Sequence, residues 1–216
     1  MSRFAKPIVI VGAGGHAHVV RELAHNLGFT VVGFVEKSDK SPKPIVNQLT
    51  IYSEEELLNS EVVANYLTNG VPRTSTRLIP ISKLEKLQTI GYAAVSLISP
   101  RAIIAESAII NKGVQVFPGA IVQSHSRLGD WVLINSGAII EHDVEIGGGT
   151  HVAPGAIICG GVTLGPNCFI GAGSVLREGI SVAENTIVGA GAVVTKNIPT
   201  GGIVVGNPAR RLEKGK

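Results

Sequence analysis

The sequence predicts an α/β domain over residues 1–99, followed by a parallel β-helix over residues 100–216 that ends in a C-terminal tail. Three observations predict this order. Apolar runs alternate with helical patterns in the first part, an aliphatic residue recurs every six positions in the second part, and turn-forming residues follow those aliphatics at a constant distance. A constant short period indicates one structural unit stacked on itself.

The first part begins with an apolar run at 7–12 that ends in glycine, as is typical of a buried parallel strand. The helix predicted at 17–27 stops at Gly28 and has four aliphatic residues at helical spacing, Val19, Val20, Leu23 and Leu27. The later elements are a strand at 30–36, a helix at 53–60 with a Ser53 cap, a strand at 61–68, a helix at 81–88 and a strand at 92–98. Such alternation predicts a small Rossmann-like parallel sheet covered by helices.

The turn between the first strand and the first helix, GAGGHA at 12–17, is suited to bind an anion. Glycines let the backbone approach a phosphate, and a helix N-terminus offers free N–H groups. Gly12, Gly14 and Ala17 match the dinucleotide fingerprint, and Glu36 lies at the end of the next strand. Only half of a dinucleotide fold fits in this domain, so the turn predicts a mononucleotide or nucleotide-sugar site. NAD binding and a turn without a ligand are the alternatives.

The repeat of the second part places Ile, Val or Leu at every sixth position without interruption. Glycine is frequent three residues later, and it costs roughly 1 kcal/mol relative to alanine inside an α-helix, so the period belongs to strands and turns. Ser99-Pro100 marks the start of the coil. The aliphatic positions are Ile104, Ile110, Val116, Val122, Leu128, Ile134, Ile140, Ile146, Val152, Ile158, Leu164, Ile170, Leu176, Val182, Val188 and Val194.

Composition argues against several classes of protein. The net charge of +3 comes from lysines and arginines that are scattered except at the tail (Arg210, Arg211, Lys214 and Lys216) and lack interleaved aromatic residues, which does not suit nucleic-acid binding. No apolar run reaches the ~18 residues that span a bilayer, and no signal-peptide cleavage pattern follows the first strand. Cys159 and Cys168 are the only cysteines and are predicted to be free thiols in a reducing cytoplasm.

His142, in the run Glu141-His142-Asp143, is the candidate general base. It lies outside the aliphatic phase, so its ring is predicted to project outward where a ligand reaches it. Acetyl transfer from a thioester to an amine releases a proton, which an imidazole accepts near neutral pH, and a neighbouring carboxylate fixes the tautomer. His125 precedes Asp143 by eighteen residues. For this pair, a structural hydrogen bond and a catalytic role are both possible interpretations. The histidines and cysteines lack metal-ligand spacing, so no metal site is expected.

Three segments, at 12–17, 134–147 and 204–210, together resemble the bacterial sugar O- and N-acetyltransferases that join a small Rossmann-like domain to a left-handed β-helix. Within that family, the sialic acid O-acetyltransferase-like group, the resemblance is to nucleotide-linked 4-amino-sugar N-acetyltransferases. It implies a left-handed coil with three hexapeptides per turn, in which residues eighteen apart stack at about 4.8 Å. It also implies acetyl-CoA as co-substrate and a homotrimer with active sites between neighbouring subunits.

The resemblance assigns roles to individual residues. His142 is implied as the general base, Asp143 as its support, and Asn135 as a residue that helps to hold the reacting groups. The residues implied for the nucleotide are Gly14, Gly15, His16, Glu36 and Lys37. Those implied for acetyl-CoA are His151, Gly160, Ala172 and Ala190.

The stretch 147–176 contains no charged side chain. A solvated surface normally carries charges, so this stretch is predicted to be covered by a neighbouring subunit or by the pantetheine arm, with an exposed glycine-rich coil as the alternative. The predicted function is a cytoplasmic N-acetyltransferase acting on a nucleotide-linked 4-amino-4,6-dideoxy sugar for a bacterial surface glycan or glycoprotein. A UDP-linked sugar is favoured and GDP-perosamine is the second candidate. Sugar O-acetylation and a non-catalytic sugar-binding coil are the alternatives.

Overall fold

The computed structural model describes residues 6–36, 49–58 and 64–212. Its contacts divide the chain into two units, one formed by residues 1–72 and 80–97 and the other by residues 73–79 and 98–216. None of the helices in the described ranges is long and apolar enough to cross a bilayer.

The first unit contains a parallel sheet built from β1 Lys6–Val11, β2 Phe29–Glu36, β3 Thr50–Ser53, β4 Tyr66–Asn69 and β5 Ala93–Ala94. The strand order is β3-β2-β1-β4-β5, and each neighbouring pair is parallel. Ile8 to Val11 in the central strand are at most 1% exposed, as expected for a parallel sheet with both faces covered.

Three helices belong to this unit, α1 Gly15–Asn26, α2 Glu54–Leu58 and α3 Ile81–Thr89. The predicted cap of α2 is present, because Glu56 N donates to Ser53 Oγ at 3.1 Å and Ser53 N donates to Glu56 Oε2 at 2.5 Å. The inward face of α1 differs from the prediction. Val19 is 52% exposed, because the buried face of the helix is formed by other residues, which are Ala17, Val20, Leu23 and Ala24.

Two strand predictions need correction. The strand expected at 61–68 begins at Tyr66, and residues 61–63 lie outside the described ranges. The strand expected at 92–98 is two short strands in different sheets, since β5 pairs with β4 while Leu97–Ile98 belongs to the coil. The sequence prediction has no counterpart of β3, because four residues are too few for a clear alternation of apolar and polar side chains.

The second unit is a parallel β-helix made of very short strands that match the predicted period. They are β6 Leu97–Ile98, β7 Ile103–Ile104, β8 Ile109–Ile110, β9 Gln115–Val116, β10 Ile121–Val122, β11 Arg127–Leu128, β12 Leu133–Ile134, β13 Ile139–Ile140, β14 Glu145–Ile146, β15 His151–Val152, β16 Ile157–Ile158, β17 Thr163–Leu164, β18 Phe169–Ile170, β19 Val175–Leu176, β20 Ser181–Val182, β21 Thr186–Val188 and β22 Val193–Val194. The chain continues into β23 Gly202–Val205 and β24 Arg210–Arg211.

The coil has three sheets. Sheet I contains β22-β19-β16-β13-β10-β7, sheet II contains β20-β17-β14-β11-β8, and sheet III contains β24-β23-β21-β18-β15-β12-β9-β6. Parallel partners such as Ile121 and Ile139 lie eighteen residues apart, which confirms the expected stacking of three hexapeptides per turn. Every predicted aliphatic position from Val116 onward is buried, whereas Ile104 and Ile110 at the start of the coil are partly buried.

The corners of the coil share one backbone conformation. Every sixth residue from Gly113 to Gly191 has a φ between 57° and 74°, in the left-handed region. Nine of these residues are glycine, which adopts such a φ without steric cost, whereas a left-handed φ costs other residues roughly 1–2 kcal/mol. The non-glycine corner residues are His125, Trp131, Asp143, Asn167 and Asn185.

Residues 73–79 fold with the coil, which the sequence did not predict. Arg73 is 5% exposed, and its Nε donates to the Asn167 carbonyl at 3.0 Å. Its Nη1 donates to the carbonyls of Thr74 and Arg77. Burial lowers the pKa of this guanidinium. The neutral carbonyls therefore hold a desolvated cation against the II/III corner, where sheets II and III meet.

The C-terminal end of the coil changes strand direction. β23 runs parallel to β21, but β24 runs antiparallel to β23 and places Arg211 opposite Val204 and Arg210 opposite Val205. The Arg211 guanidinium donates to Thr200 O at 2.7 Å and to Gly201 O at 3.0 Å. These bonds fix the last turn of the described chain.

Candidate active site

His142 and Asp143 lie on the I/II corner, where β13 of sheet I passes into β14 of sheet II. Asp143 occupies the left-handed corner position with φ 58°, and its N–H donates to Ser124 O at 3.0 Å. The side chains are 64% and 62% exposed, respectively. The hexapeptide phase therefore presents both groups to solvent on a backbone that the stacked turns hold in place.

The two side chains are hydrogen-bonded to each other, with His142 Nδ1 at 2.9 Å from Asp143 Oδ2. A carboxylate only accepts hydrogen bonds, so Nδ1 carries the proton and donates it. In the neutral ring, Nε2 then presents a lone pair away from Asp143. This arrangement of an oriented, accessible imidazole suits a general base.

The imidazole of His142 lies directly over Gly160, which stacks one turn of the coil later. A Cβ built on Gly160 would meet His142 Cε1 and Nε2 at 2.7 Å each. Only a residue without a side chain at position 160 leaves this space for the ring.

His125 lies on the same corner, eighteen residues before Asp143. Its ring is exposed, and its backbone N–H donates to Ser107 Oγ at 3.1 Å. Among the described residues, its ring makes no hydrogen bond with Asp143. His125 and Asp143 therefore stack through their backbone positions and not through their side chains.

Asn135 and His151 lie on sheet III, away from the I/II corner. Asn135 follows β12, and His151 is in β15, where it is 6% exposed and packs edge-to-face on Phe169 with ring centroids 5.3 Å apart. His151 Nδ1 is 2.6 Å from the Arg73 carbonyl, and His151 Nε2 is 3.2 Å from Asn135 Nδ2. Both ring nitrogens therefore have partners within this chain. The predicted catalytic residues occupy two separate faces of one coil.

The other residues predicted for acetyl-CoA are divided between two corners. Gly160 lies beside His142 on the I/II corner. Ala172 and Ala190 are exposed on the III/I corner, where sheets III and I meet, and they stack eighteen residues apart, with Gly191 N donating to Ala172 O at 2.9 Å. The structure thus brings Ala172 and Ala190 together but does not bring them to His142 within one chain.

The outward residues of sheet I form an apolar stripe. Its first strand residues are all aliphatic, whereas the same positions of sheet II include charged and hydroxyl side chains. Ile103 is 65% exposed, and the later stripe residues are partly exposed. We define the stripe as Ile103, Ile121, Ile139, Ile157, Val175 and Val193.

In the first unit, the turn predicted to bind a nucleotide joins β1 to α1 at the carboxyl edge of the sheet. Gly14 is the N-cap of α1 with φ −83°, and its carbonyl accepts from Ala17 N at 2.9 Å. Apart from the adjoining backbone, no atom of the described residues lies within 4 Å of a Cβ built on Gly14 or Gly15, so this backbone faces open space. His16 is half-buried in the first turn of α1, and Glu36 is exposed at the end of β2. Lys37 lies outside the described residues.

Sequence reasoning missed a second loop at the same edge. Asn69 ends β4, is 3% exposed, and bridges the loop with Nδ2 donating to Val71 O at 2.8 Å and Oδ1 accepting from Val71 N at 3.0 Å. Gly70 N donates to Val11 O at 2.8 Å. The strand order reverses between β1 and β4, which is where doubly wound sheets bind ligands. The Asn69-Gly70 dipeptide was the available turn signal.

The charged groups offer one further candidate binding surface. A cavity of about 340 Å³ at the C-terminal end of the coil is lined in part by Lys196, Arg210 and Arg211. Within the described ranges, no group of three or more His, Cys, Asp or Glu residues is placed to hold a metal ion.

Comparisons with known proteins match both units. The PglD N-terminal domain family matches residues 7–71, and the bacterial transferase hexapeptide family matches residues 143–178 and 161–196. The acetyltransferase domain of PglB from Neisseria gonorrhoeae FA1090, solved with acetyl coenzyme A, is 33% identical, covers 97% of this chain and 100% of that chain, and gives a TM-score of 0.86. No curated protein sequence matches the chain.

A second group of solved structures comes from Caulobacter crescentus. PerB in complex with CoA and GDP-perosamine is 29% identical, covers 96% of this chain and 97% of that chain, and gives a TM-score of 0.87. A histidine-to-alanine variant of the GDP-perosamine N-acetyl transferase from the same organism, also with CoA and GDP-perosamine, is 29% identical over the same shares, with a TM-score of 0.88.

Proposed function

This chain belongs to the hexapeptide-repeat nucleotide-sugar N-acetyltransferases with a PglD-type N-terminal domain, and we propose that it acetylates the amino group of a nucleotide-linked 4-amino-4,6-dideoxy sugar with acetyl-CoA. The sequence resemblance favours a UDP-linked sugar. The GDP-perosamine bound by PerB makes a GDP-linked sugar the second candidate.

The reaction needs a base for the attacking amine. As the sugar nitrogen bonds to the thioester carbonyl carbon, the nitrogen loses a proton to His142 Nε2, and the carbon–sulfur bond breaks to release CoA as the thiolate. Asp143 keeps the His142 proton on Nδ1 and stabilises the imidazolium that forms. The single observation that carries this proposal is the 2.9 Å hydrogen bond between these exposed side chains.

We assign the nucleotide to the carboxyl edge of the sheet in the first unit. The open backbone of Gly14 and Gly15 and the N-terminus of α1 suit a phosphate group. His16 and Glu36 border this turn and the end of β2, where contacts to the ribose or the base belong in such folds. Lys37 completes the proposed set from the sequence.

For acetyl-CoA, we propose contacts with the small residues Gly160, Ala172 and Ala190. Ala172 and Ala190 are exposed and small, which leaves room for the narrow pantetheine arm, and the basic cavity lined by Lys196 and Arg210 matches the charge of the CoA phosphates. A contact of His151 with acetyl-CoA stays a prediction from the sequence, since both of its ring nitrogens have partners within the chain.

The proposed enzyme is a homotrimer with active sites between subunits. Asn135 and His142 lie on different faces of one coil, so a site that uses both requires Asn135 of one subunit and His142 of another. The apolar stripe of sheet I is a suitable contact surface, because an aliphatic face gains stability when a neighbour covers it. We also propose a cytoplasmic location, where the two free cysteines remain reduced.

The test is a thiol-release assay with acetyl-CoA and a panel of UDP- and GDP-linked 4-amino sugars. The matched control is the same nucleotide sugar with a hydroxyl group in place of the amine. Release of CoA with the amine alone, together with a mass increase of one acetyl group on the sugar, supports N-acetylation. Release with the hydroxyl sugar alone contradicts the proposal and identifies an O-acetyltransferase.

A further inference from the structure

We propose that Gly160 is a positioning residue that seats the His142 imidazole at the angle required for its bond to Asp143. This inference rests on the proposed role of His142 as general base. The absence of a side chain at position 160 thus has a role in the chemistry, in addition to any contact of the Gly160 backbone with acetyl-CoA.

A side chain at position 160 would collide with the His142 ring. A Cβ on Gly160 would lie 2.7 Å from His142 Cε1, 2.7 Å from Nε2 and 3.3 Å from Cδ2, whereas ordinary contacts are 3.4–4 Å. These ring atoms are the three nearest neighbours of the built Cβ. The flat side of the ring thus rests against the Gly160 backbone, and the smallest possible side chain would push it away.

The His142 ring is freer to move than the backbone of the corner. Gly161 N donates to His142 O at 2.9 Å, and Gly179 N donates to Gly160 O at 3.0 Å, so the corner backbone is fixed in the stack. The His142 side chain is 64% exposed and has free space on its solvent side. Gly160 itself lies outside the left-handed region and accommodates alanine in its backbone conformation. Alanine would therefore displace the ring and leave the coil folded.

Displacement of the ring has a direct chemical consequence. The bond from His142 Nδ1 to Asp143 Oδ2 fixes both the tautomer and the direction of the Nε2 lone pair. A base displaced by about 1 Å loses on the order of 100-fold in rate. Gly147, Gly165 and Gly171 differ from Gly160, because a Cβ on any of them would first meet backbone atoms.

The experiment compares Gly160→Ala with Gly148→Ala. Gly148 has the same position within its hexapeptide but lies on the II/III corner, where its Cβ would meet only the backbone of Asp130, at 3.1 Å. Gly160→Ala is expected to lower kcat by about 100-fold with unchanged KM for the nucleotide sugar and an unchanged Kd for CoA. Gly148→Ala is expected to keep kcat within about two-fold, and both variants are expected to melt at similar temperatures.

A double-variant cycle separates the possible modes of action. If Gly160 acts through the ring, Gly160→Ala has no further effect in the His142→Ala protein. A further loss of rate in that background, or weaker CoA binding by calorimetry, overturns the inference and assigns Gly160 to the coenzyme. Full activity of Gly160→Ala, or loss of the folded coil, also overturns it. If His142→Ala itself retains full activity, the proposed general base fails, and the inference fails with it.

Discussion

The side-chain amide of Asn135 donates to Nε2 of His151 across 3.2 Å, while Nδ1 of His151 donates to the main-chain carbonyl of Arg73 across 2.6 Å. The direction follows from the carbonyl, which only accepts and so places the ring proton on Nδ1. Asn135 Oδ1 in turn accepts from Ser136 N at 2.8 Å. Both the nitrogen and the oxygen of the Asn135 side-chain amide are therefore held by hydrogen bonds. His151, which holds the nitrogen, also attaches the 73–79 segment to the coil.

His151→Phe is expected to destabilise the protein. Phenylalanine keeps the contact with Phe169 but leaves the Arg73 carbonyl without its donor, which costs about 1–3 kcal/mol of unfolding free energy. Chemical denaturation measures this loss. The exposed His142→Phe is the control and is expected to change the unfolding free energy by less than about 0.5 kcal/mol. Equal stability of the two variants would contradict the buried hydrogen-bonded role of His151.

His142→Ala is expected to lower kcat by about 10²–10⁴-fold at neutral pH and to leave the fold intact, because the attacking amine loses its base. Steady-state thiol release and circular dichroism provide the measurements. Asp143→Asn is expected to be milder, since asparagine tolerates the left-handed corner and removes only the charge.

The matched control for these two variants is His125→Asn on the same corner, which keeps a residue suited to φ 61°. It is expected to retain near wild-type activity. Turnover of His142→Ala within a few-fold of wild type would remove His142 from the mechanism. A larger loss for Asp143→Asn than for His142→Ala would make Asp143 the essential group.

Gly14→Val is expected to raise KM for the nucleotide sugar and to spare KM for acetyl-CoA. The described part of the chain leaves space for the added side chain, since none of its atoms beyond the adjoining backbone lies within 4 Å of a built Cβ, and φ is −83°. The branched side chain would instead occupy the space where a phosphate approaches the backbone. Initial-rate measurements with each substrate varied in turn test this division.

The contrast to Gly14 is Gly12, where φ is +107° and a Cβ would collide with the Val71 side chain. Gly12→Val is expected to destabilise the first unit, which thermal unfolding would detect. If Gly14→Val abolished binding of acetyl-CoA while the fold remained intact, the turn would belong to the coenzyme.

Sedimentation is expected to give about three times the chain mass of 22.4 kDa. Ile157→Glu places a charge in the apolar stripe and is expected to dissociate the trimer and remove activity. Thr163→Glu on the outward face of sheet II is the control and is expected to change neither. A monomeric wild-type protein at micromolar concentration would contradict both the trimer and the shared active site.

Both thiols are expected to react slowly with thiol reagents in the folded protein at pH 7–8. Burial raises the pKa of Cys159, and the carboxylates of Glu178 and Glu141 raise it further. Burial also raises the pKa of Cys168. Because the thiolate is the reactive form, a raised pKa lowers reactivity at neutral pH and shifts it to higher pH. Titration of the folded and denatured protein with a chromogenic disulfide tests this, and rapid reaction of the folded chain would contradict it.

The coil was predictable because its information is local. The aliphatic residue at every sixth position, from Ile104 to Val194, is visible in the sequence as a simple period, and the same phase placed His142 on an outward corner. The I/II corner in the structure confirms that exposure. The same six-residue period also identifies the five corner residues other than glycine that have a left-handed φ, although Trp131 and His125 are unusual residues for that conformation.

The parts that escaped prediction depend on distant partners. Arg73 Nε reaches a carbonyl 94 residues away, and the His151 bond to Arg73 spans 78 residues. The sequence analysis made no prediction for Arg73 and implied an acetyl-CoA contact for His151, because neither residue shows its partner in the sequence. The separation of Asn135 from His142 also requires the sheet assignment, since the two are close in sequence but lie on different faces.

The antiparallel strand β24 changes what the C-terminal end of the coil presents to another molecule. A stack of parallel turns ends in unpaired backbone groups, which would allow another coil to add end to end and grow into a fibre. β24 reverses the strand direction at the C-terminal end of sheet III and places two exposed arginines there. A second molecule approaching this end with the same residues would meet like charges. The reversed strand and the two arginines therefore disfavour the pairing of two C-terminal ends.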